Sequence, residues 1–132
     1  NEEVILSSAD GDYEGLMLNL SRIWENGSDP VSVIRSAQRH FQRLHYVLSA
    51  INTGVSVETA LKQLRPPIFW RITSRFKSQL YIWSLEFIES SLLRLTEAEI
   101  AVIKGSIPGS LACDRALLAI SQFAKKSKSK KL

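Results

Sequence analysis

The chain has 132 residues, of which 45% are hydrophobic and 23% charged, a composition typical of one compact domain and not of a disordered segment. A single cysteine excludes an internal disulfide, and the lack of any run of 18 apolar residues argues against a transmembrane helix. The net charge is +4, but residues 125–131 hold five lysines, and without those five charges the remainder carries −1. The basic character is therefore concentrated at one end of the chain. Because the chain starts with Asn1 and its one methionine is Met17, we expect it to be a piece of a longer protein.

The first half of the chain predicts three helices. Residues 2–9 form a short one, and a second covers residues 13–25 before an Asn-Gly pair ends it. Asp29 and Pro30 stand in the order expected of an N-cap and a first helical residue, so a long helix should run from there to about Asn52. Its apolar positions are spaced 3, 4, 3, 4 and 3, and they are Ile34, Ala37, Phe41, Leu44, Leu48 and Ile51.

The second half predicts four more helices. Ser56 can cap a short helix over residues 57–64, which Pro66 and Pro67 end because a residue before proline is pushed out of the helical region. A helix over residues 68–81 follows, then one that Ser84 caps and that runs to about Lys104, and a last one over residues 110–124. No useful strand-like alternation occurs. The sequence therefore predicts an all-α fold, a compact helical bundle of about six or seven helices.

The residues that could bind a metal or act as a nucleophile are few and badly placed. His40 and His45 are five residues apart and so lie on different faces of a helix, whereas a helical zinc pair needs a spacing of four. We expect both at boundary positions with a satisfied ring nitrogen. Cys113 lies in an apolar helix and is expected to be a small buried residue. We therefore predict no metal site.

Two other patterns suggest chemistry only faintly. Glu97 and Glu99 are two residues apart and do not share a helix face, so they are not a general acid/base pair. The stretch GSIPGS, residues 105–110, precedes a helix but lacks the Gly-Lys-Ser/Thr ending of a phosphate-binding loop. No catalytic residue and no cofactor is predicted, and an enzyme of unrecognised type is kept as an alternative.

Basic residues occur in two groups. Arg35, Arg39 and Arg43 recur every four residues and form a line along the long helix, and Arg71, Arg75 and Lys77 add to this group from a later helix. Such a line can follow a phosphate backbone, face solvent, or pair with acids of a neighbouring subunit. The residues alone favour a role that faces solvent or another protein over contact with DNA. The second group, expected to be a disordered tail with at most weak nucleic-acid contact, consists of Lys125, Lys126, Lys128, Lys130 and Lys131.

An ordered set of segments between about Gly11 and Lys126 resembles one known family. The segments are RHFQRLHYVLSAINTG, VETALKQLRPPIFWRI, RFKSQLYIW, SSLLRLTEAEIAVIKG and LACDRALLAISQFA. Each is weak by itself, and their order and spacing carry the likeness. Together they resemble the C-terminal domain of the delta subunit of the bacterial DNA polymerase III clamp loader.

The resemblance implies a role in DNA replication. In that family an N-terminal ATPase-like module binds the sliding clamp, a lid region follows, and all-helical C-terminal domains form a collar that holds the loader subunits together. The implied partners are the gamma/tau and delta prime subunits, with the sliding clamp reached only through the N-terminal module and with DNA contact weak and indirect. The implied location is the cytoplasm. The parent would be a subunit of a DNA-directed DNA polymerase holoenzyme, with no catalytic activity in this piece.

The resemblance also implies a division of the chain. Residues 1–10 would be a remnant of the linker or lid region, residues 11–124 the helical collar domain, and residues 125–132 the basic tail. Phe69 and Trp70 could be partner anchors, although burial in the core is the more frequent fate of such residues. The candidate interface residues are Arg35, Arg39, Arg43, Phe69, Trp70 and Lys104. A stand-alone helical nucleic-acid-binding domain is the alternative function.

Overall fold

The computed structural model describes residues 1–131 and shows seven α-helices, one 3₁₀ turn and, in that range, no β-strand. The prediction of an all-α helical bundle is confirmed. The helices are α1 (Glu2–Asp10), α2 (Tyr13–Glu25), α3 (Pro30–Asn52), α4 (Val57–Lys62), α5 (Thr73–Ile82), α6 (Leu85–Lys104) and α7 (Gly109–Lys131), with the 3₁₀ turn at Trp70–Ile72 before α5.

The helix starts follow local signals in the sequence. The Asp29 carboxylate accepts a 3.0 Å hydrogen bond from the backbone N–H of Ser32, and Pro30 is the first residue of α3, as predicted. Ser56 and Ser84 cap α4 and α6 by the same kind of side-chain hydrogen bond. Gly105 ends α6 in the left-handed region with φ of 72°, a conformation that costs glycine little because it has no Cβ.

The long helix α3 lies at the centre of the bundle. It packs against α6 and also contacts α1, α4, α5 and α7, and α7 in turn packs against α6 and α1. Its apolar stripe faces inward, with Ile51 partly buried at the end. The buried residues of α3 are Val33, Ile34, Ala37, Phe41, Leu44, Val47 and Leu48. Burial of this stripe removes apolar area from water and so stabilises the fold.

Trp83, in the short link between α5 and α6, is fully buried and joins three parts of the core. Its ring lies edge-on to Phe41 of α3, with ring centroids 5.1 Å apart. Its indole N–H donates a 2.8 Å hydrogen bond to the backbone carbonyl of Ala9 in α1. The acceptor offsets the cost of taking the indole N–H out of water, and the bond holds the C-terminal end of α1 in place.

The structure differs from the division expected at residues 1–10. α1 lies in the same core as the other helices, with Val4, Ile5, Leu6 and Ala9 buried. It packs against α2, α3, α5 and α7, so residues 2–10 are structurally part of the bundle. The apolar run VIL was too short to distinguish a core helix from the end of a preceding element.

The expected disordered tail is also different in the structure. α7 does not end near Ala124 but continues as a helix to Lys131. Ser127 is fully buried, and its hydroxyl oxygen accepts a 2.9 Å hydrogen bond from the backbone N–H of Ser84. The Lys131 ammonium donates a 3.1 Å hydrogen bond to the carbonyl of Leu80. These contacts, with Leu80 of α5 and with Ser84 in the α5–α6 link, hold the last two turns against the bundle.

The helix predicted over residues 68–81 begins later than expected. Phe69 has an extended backbone, the 3₁₀ turn follows, and regular helix starts at Thr73. Two adjacent prolines, Pro66 and Pro67, favour extended backbone at and before their positions, which delays the helix. None of the helices in residues 1–131 combines the length and the apolar character that a bilayer crossing requires.

Candidate functional site

A shallow groove runs along α3, opposite the segment that links α4 to α5. It consists of two adjoining depressions of about 480 and 390 Å³, and Arg39, Arg43 and Pro66 line both. Tyr46 lines one end and Phe69 the other. We call this surface the α3 groove, defined by Arg39, Gln42, Arg43, Tyr46, Gln63, Arg65, Pro66 and Phe69.

Hydrogen bonds between side chains of α3 and the α4–α5 link fix the shape of the α3 groove. Arg43 donates a 2.7 Å hydrogen bond from Nη1 to the carbonyl of Pro66, and the Tyr46 hydroxyl donates a 3.2 Å bond to Gln63 Oε1. Arg65 donates to two backbone carbonyls of its own turn. Partial burial lowers the pKa of Arg43, yet an arginine stays protonated at neutral pH. The guanidinium groups therefore give the α3 groove a positive charge along α3, while the Glu2 carboxylate lines the α1 side of one depression.

The arginines of this region have no acidic partner in the part of the chain that the structure describes. Arg39 donates to the Ser36 hydroxyl, Arg43 and Arg65 donate to backbone carbonyls, and Arg71 lies over the Trp70 ring with Cζ 5.0 Å from its centroid. None of the four takes part in an ion pair among residues 1–131. Four guanidinium groups without carboxylates are complementary to an acidic surface.

Two aromatic side chains expected in the core lie on the surface instead. Phe69 is 51% exposed and Trp70 is 72% exposed, with ring centroids 5.9 Å apart. The preference for core burial of these two residues was wrong, because the segment after Pro66 and Pro67 runs over the surface of the bundle and not through its core. Tyr46, at the far end of the α3 groove, is 48% exposed. Large exposed aromatic side chains beside arginines are typical of protein interfaces.

The remaining candidate interface residues lie elsewhere. Arg35 donates from Nε to Glu99 Oε2 at 2.9 Å, and Gln38 donates to the other oxygen of the same carboxylate at 3.0 Å. Hydrogen bonds from Gln38 and then Arg35 lower the pKa of Glu99. Lys104 is exposed in the last turn of α6, where a cation interacts favourably with the helix dipole. Of the predicted set, the structure brings together Arg39, Arg43, Phe69 and Trp70.

Sequence reasoning missed Tyr46 and Arg65 as parts of this surface. Tyr46 lies on the side of α3 away from the apolar stripe. An aromatic side chain at such a position indicates an exposed apolar surface and could have been found from the sequence. Arg65 directly precedes Pro66, and only the path of the α4–α5 link shows that it lies beside α3.

The tail lysines divide into two kinds. Lys125, Lys126, Lys128 and Lys130 are exposed around the outer side of α7. The Lys131 ammonium is directed back to the carbonyl of Leu80, and burial lowers its pKa. Four lysines are thus available for a partner, whereas the fifth has a structural contact.

The two histidines and the cysteine have structural roles. His40 Nε2 lies 2.7 Å from Gln79 Oε1, and burial lowers the pKa of His40. His45 Nε2 lies 2.9 Å from a carboxylate oxygen of Glu89. Cys113 is fully buried, which raises the pKa of its thiol to about 12. The predictions of a satisfied ring nitrogen and of a buried cysteine are confirmed.

No group of three or more metal-binding side chains occurs within residues 1–131.

One curated protein is similar to about two thirds of this chain. It is named "Probable DNA polymerase III subunit delta", from Rickettsia prowazekii (strain Madrid E), and is 32% identical over 89 residues. The matched region covers 67% of this chain and 28% of the relative, so the chain spans less than a third of that protein. No protein-family model and no solved structure matches the chain. The resemblance to the delta subunit of DNA polymerase III is thereby confirmed.

Proposed function

We propose that this chain is the collar domain of a DNA polymerase III clamp-loader delta subunit. In this role it binds the gamma/tau and delta prime subunits and so helps assemble the complex that loads the sliding clamp in DNA replication. The contact with the sliding clamp is assigned to a separate N-terminal module. The domain carries out no reaction and takes no cofactor, and it acts in the cytoplasm.

One observation carries the proposal: the α3 groove and the adjacent Trp70 and Arg71 expose aromatic side chains beside guanidinium groups that lack acidic partners. Buried aromatic and arginine side chains supply most of the free energy of protein association at interfaces. A chain related to an assembly subunit and bearing such a surface is best explained as an assembly domain. The α3 groove is assigned as the part that contacts a neighbouring subunit.

The surface suggests how a neighbour would bind. Trp70 and Phe69 provide apolar area that association removes from water. They follow Pro66 and Pro67, whose fixed φ angles reduce the backbone entropy that binding would cost. Arg39, Arg43 and Arg65 then select a partner segment that carries carboxylates, because an uncharged or basic segment would leave the guanidinium groups desolvated and unpaired. The expected partner surface is therefore acidic with an apolar centre.

The proposal is tested by measuring molar mass with light scattering after gel filtration, with this chain alone and mixed with the gamma/tau and delta prime subunits of the same organism. A stoichiometric complex that survives moderate salt is expected. The double variant Phe69→Ala/Trp70→Ala should weaken it by a factor of about 30 or more, the effect of removing one strong interface residue.

Tyr81→Ala is the matched control, because Tyr81 is 77% exposed and lies outside the α3 groove. It should leave the complex unchanged. No complex with a chain shown to be folded by circular dichroism would overturn the proposal and favour the nucleic-acid alternative. A complex that both variants weaken equally would overturn the assignment of the α3 groove.

A further inference from the structure

The last turns of α7 form the most basic surface of the chain. The four exposed lysines Lys125, Lys126, Lys128 and Lys130 are presented by a regular helix that the Ser127 hydroxyl and the Lys131 ammonium hold against the bundle. None of them forms an ion pair with an acid among the described residues. The rest of the chain is close to neutral, so this end makes the molecule strongly asymmetric in charge.

Packing between α6 and α7 extends the basic surface beyond the lysines. The Arg94 guanidinium lies over the Phe123 ring, with Cζ 5.9 Å from the centroid, and the Lys130 ammonium lies 5.5 Å from the centroid of Phe87. The two rings are themselves neighbours, 6.1 Å apart. A shallow depression of about 390 Å³ is lined by Phe87, Lys125, Lys126, Ser129 and Lys130. We call these residues, with Arg94, Phe123 and Lys128, the α6–α7 basic seam.

The geometry of the seam fits a phosphate backbone better than unstacked bases. Both phenylalanine rings are only partly exposed and have cations over them, so they offer no free face for base stacking. Residues 125–131 extend along roughly 9 Å of helix. That length covers about two or three phosphates of one strand. A duplex supplies the higher charge density, with one phosphate per ~1.7 Å of helix axis.

We propose that the α6–α7 basic seam binds the phosphate backbone of duplex DNA, without reading its sequence. This goes beyond the collar function and does not depend on it, since the α3 groove is a different surface. With about three phosphates contacted, log Kd should rise with log salt concentration with a slope of about 2.7, which is about 40-fold between 50 and 200 mM salt. The affinity should lie in the range of nonspecific binding, with Kd of about 10⁻⁴ to 10⁻⁶ M.

The test is fluorescence anisotropy of a labelled 20-base-pair duplex, titrated with the full chain at several salt concentrations. The seam variant is Lys125→Gln/Lys126→Gln/Lys128→Gln/Lys130→Gln. A matched control removes the same number of exposed positive charges elsewhere: Arg39→Gln/Lys62→Gln/Arg71→Gln/Lys104→Gln. Circular dichroism melts check that both variants stay folded. The labelled single strand of the same sequence is a second probe.

The seam variant is expected to lose at least ten-fold in duplex affinity and most of its salt dependence, while the control loses less than three-fold. Equal losses in the two variants would overturn the proposal, because they would show an effect of net charge alone. A parent chain that does not bind duplex at 50 mM salt would also overturn it. Tighter binding of the single strand than of the duplex would overturn the assignment to duplex backbone.

Discussion

His40 and Gln79 connect α3 to α5 through a 2.7 Å hydrogen bond between His40 Nε2 and Gln79 Oε1. At its other end, Gln79 Nε2 donates a 2.7 Å bond to Asp10 in α1. Because the amide nitrogen is used by Asp10, the amide oxygen must accept, and neutral His40 therefore carries its proton on Nε2. Arg75 completes the chain of contacts by donating to both Asp10 and Glu3. A polar network thus joins three helices around the edge of an apolar core.

The first prediction concerns pH. Burial lowers the pKa of His40 below 6.5, so the unfolded chain takes up this proton at a higher pH than the folded one. The stability associated with neutral His40 is complete above about 6.5 and is lost as the pH falls through the folded-state pKa. The melting temperature of the chain should therefore decrease as the pH is lowered from 7.5 to 5.

The variant His40→Gln should remove this part of the pH dependence, because its amide can still donate to Gln79 but does not titrate. At pH 7.5 its stability should lie within about 1 kcal/mol of the parent, the net value of a typical hydrogen bond. His45→Gln is the control and should keep the parent's pH profile. An unchanged profile in His40→Gln would assign the effect to other groups.

The second prediction concerns the ion pairs of Arg75. Its guanidinium contacts Glu3 and Asp10, and the hydrogen bonds from Arg75 lower the pKa of Glu3. Arg75→Met should destabilise the fold by about 2 kcal/mol, since hydrogen bonds to charged groups are lost and Asp10 is left without its cation. A lowered carboxyl pKa contributes stability above about 4.5 that disappears on acidification, so the difference from the parent should shrink toward pH 3.

Lys77→Met is the matched control for Arg75→Met. Lys77 lies two residues further along the same helix and pairs with the exposed Glu58 at 2.9 Å. A pair of this kind contributes about 0.5 kcal/mol or less. Urea unfolding at pH 7 and pH 3 would separate the two variants, and equal losses in both would contradict a special role for Arg75.

The third prediction concerns Cys113. Its thiol is fully buried with a pKa of about 12, so the thiolate fraction is very small at neutral pH. The native chain should therefore react with a thiol reagent such as DTNB only after unfolding, and the reaction rate should follow the unfolded fraction as urea is added. Fast reaction without denaturant would contradict the packing of α7. An exposed-cysteine variant, Ser129→Cys, is the positive control.

The sequence predicted those parts of the fold that depend on neighbouring residues. The side chains of the caps Asp29, Ser56 and Ser84 accept hydrogen bonds from backbone N–H groups three residues later. Both partners of each bond therefore lie in one short stretch of sequence, where the pattern can be recognised. The apolar stripe of α3 is likewise a local repeat. This is why the helices and the fold class were predictable, with boundaries that shifted by a few residues.

The candidate site was less predictable because its residues come from distant segments. Trp70 looks like a core residue until the path of the chain after Pro66 and Pro67 is known. The hydrogen bond from Arg43 to Pro66 spans 23 residues, and the one from Ser84 to Ser127 spans 43. No local pattern indicates either, since each depends on how two elements pack.

The last prediction tests whether Ser127 holds the end of α7. Its fully buried hydroxyl oxygen accepts the hydrogen bond from the Ser84 N–H, which α6 itself cannot satisfy because Ser84 is the N-cap. Ser127→Ala would leave this N–H without an acceptor and should cost about 1 kcal/mol of unfolding free energy.

Ser129→Ala makes the same chemical change at an exposed position of the same turns, so any gain in helix propensity is common to both. Hydrogen exchange of residues 122–131 should become faster in Ser127→Ala and stay slow in Ser129→Ala. Equal exchange in the two variants would mean that packing of Ala124 and the Lys131 contact suffice to hold the helix without Ser127.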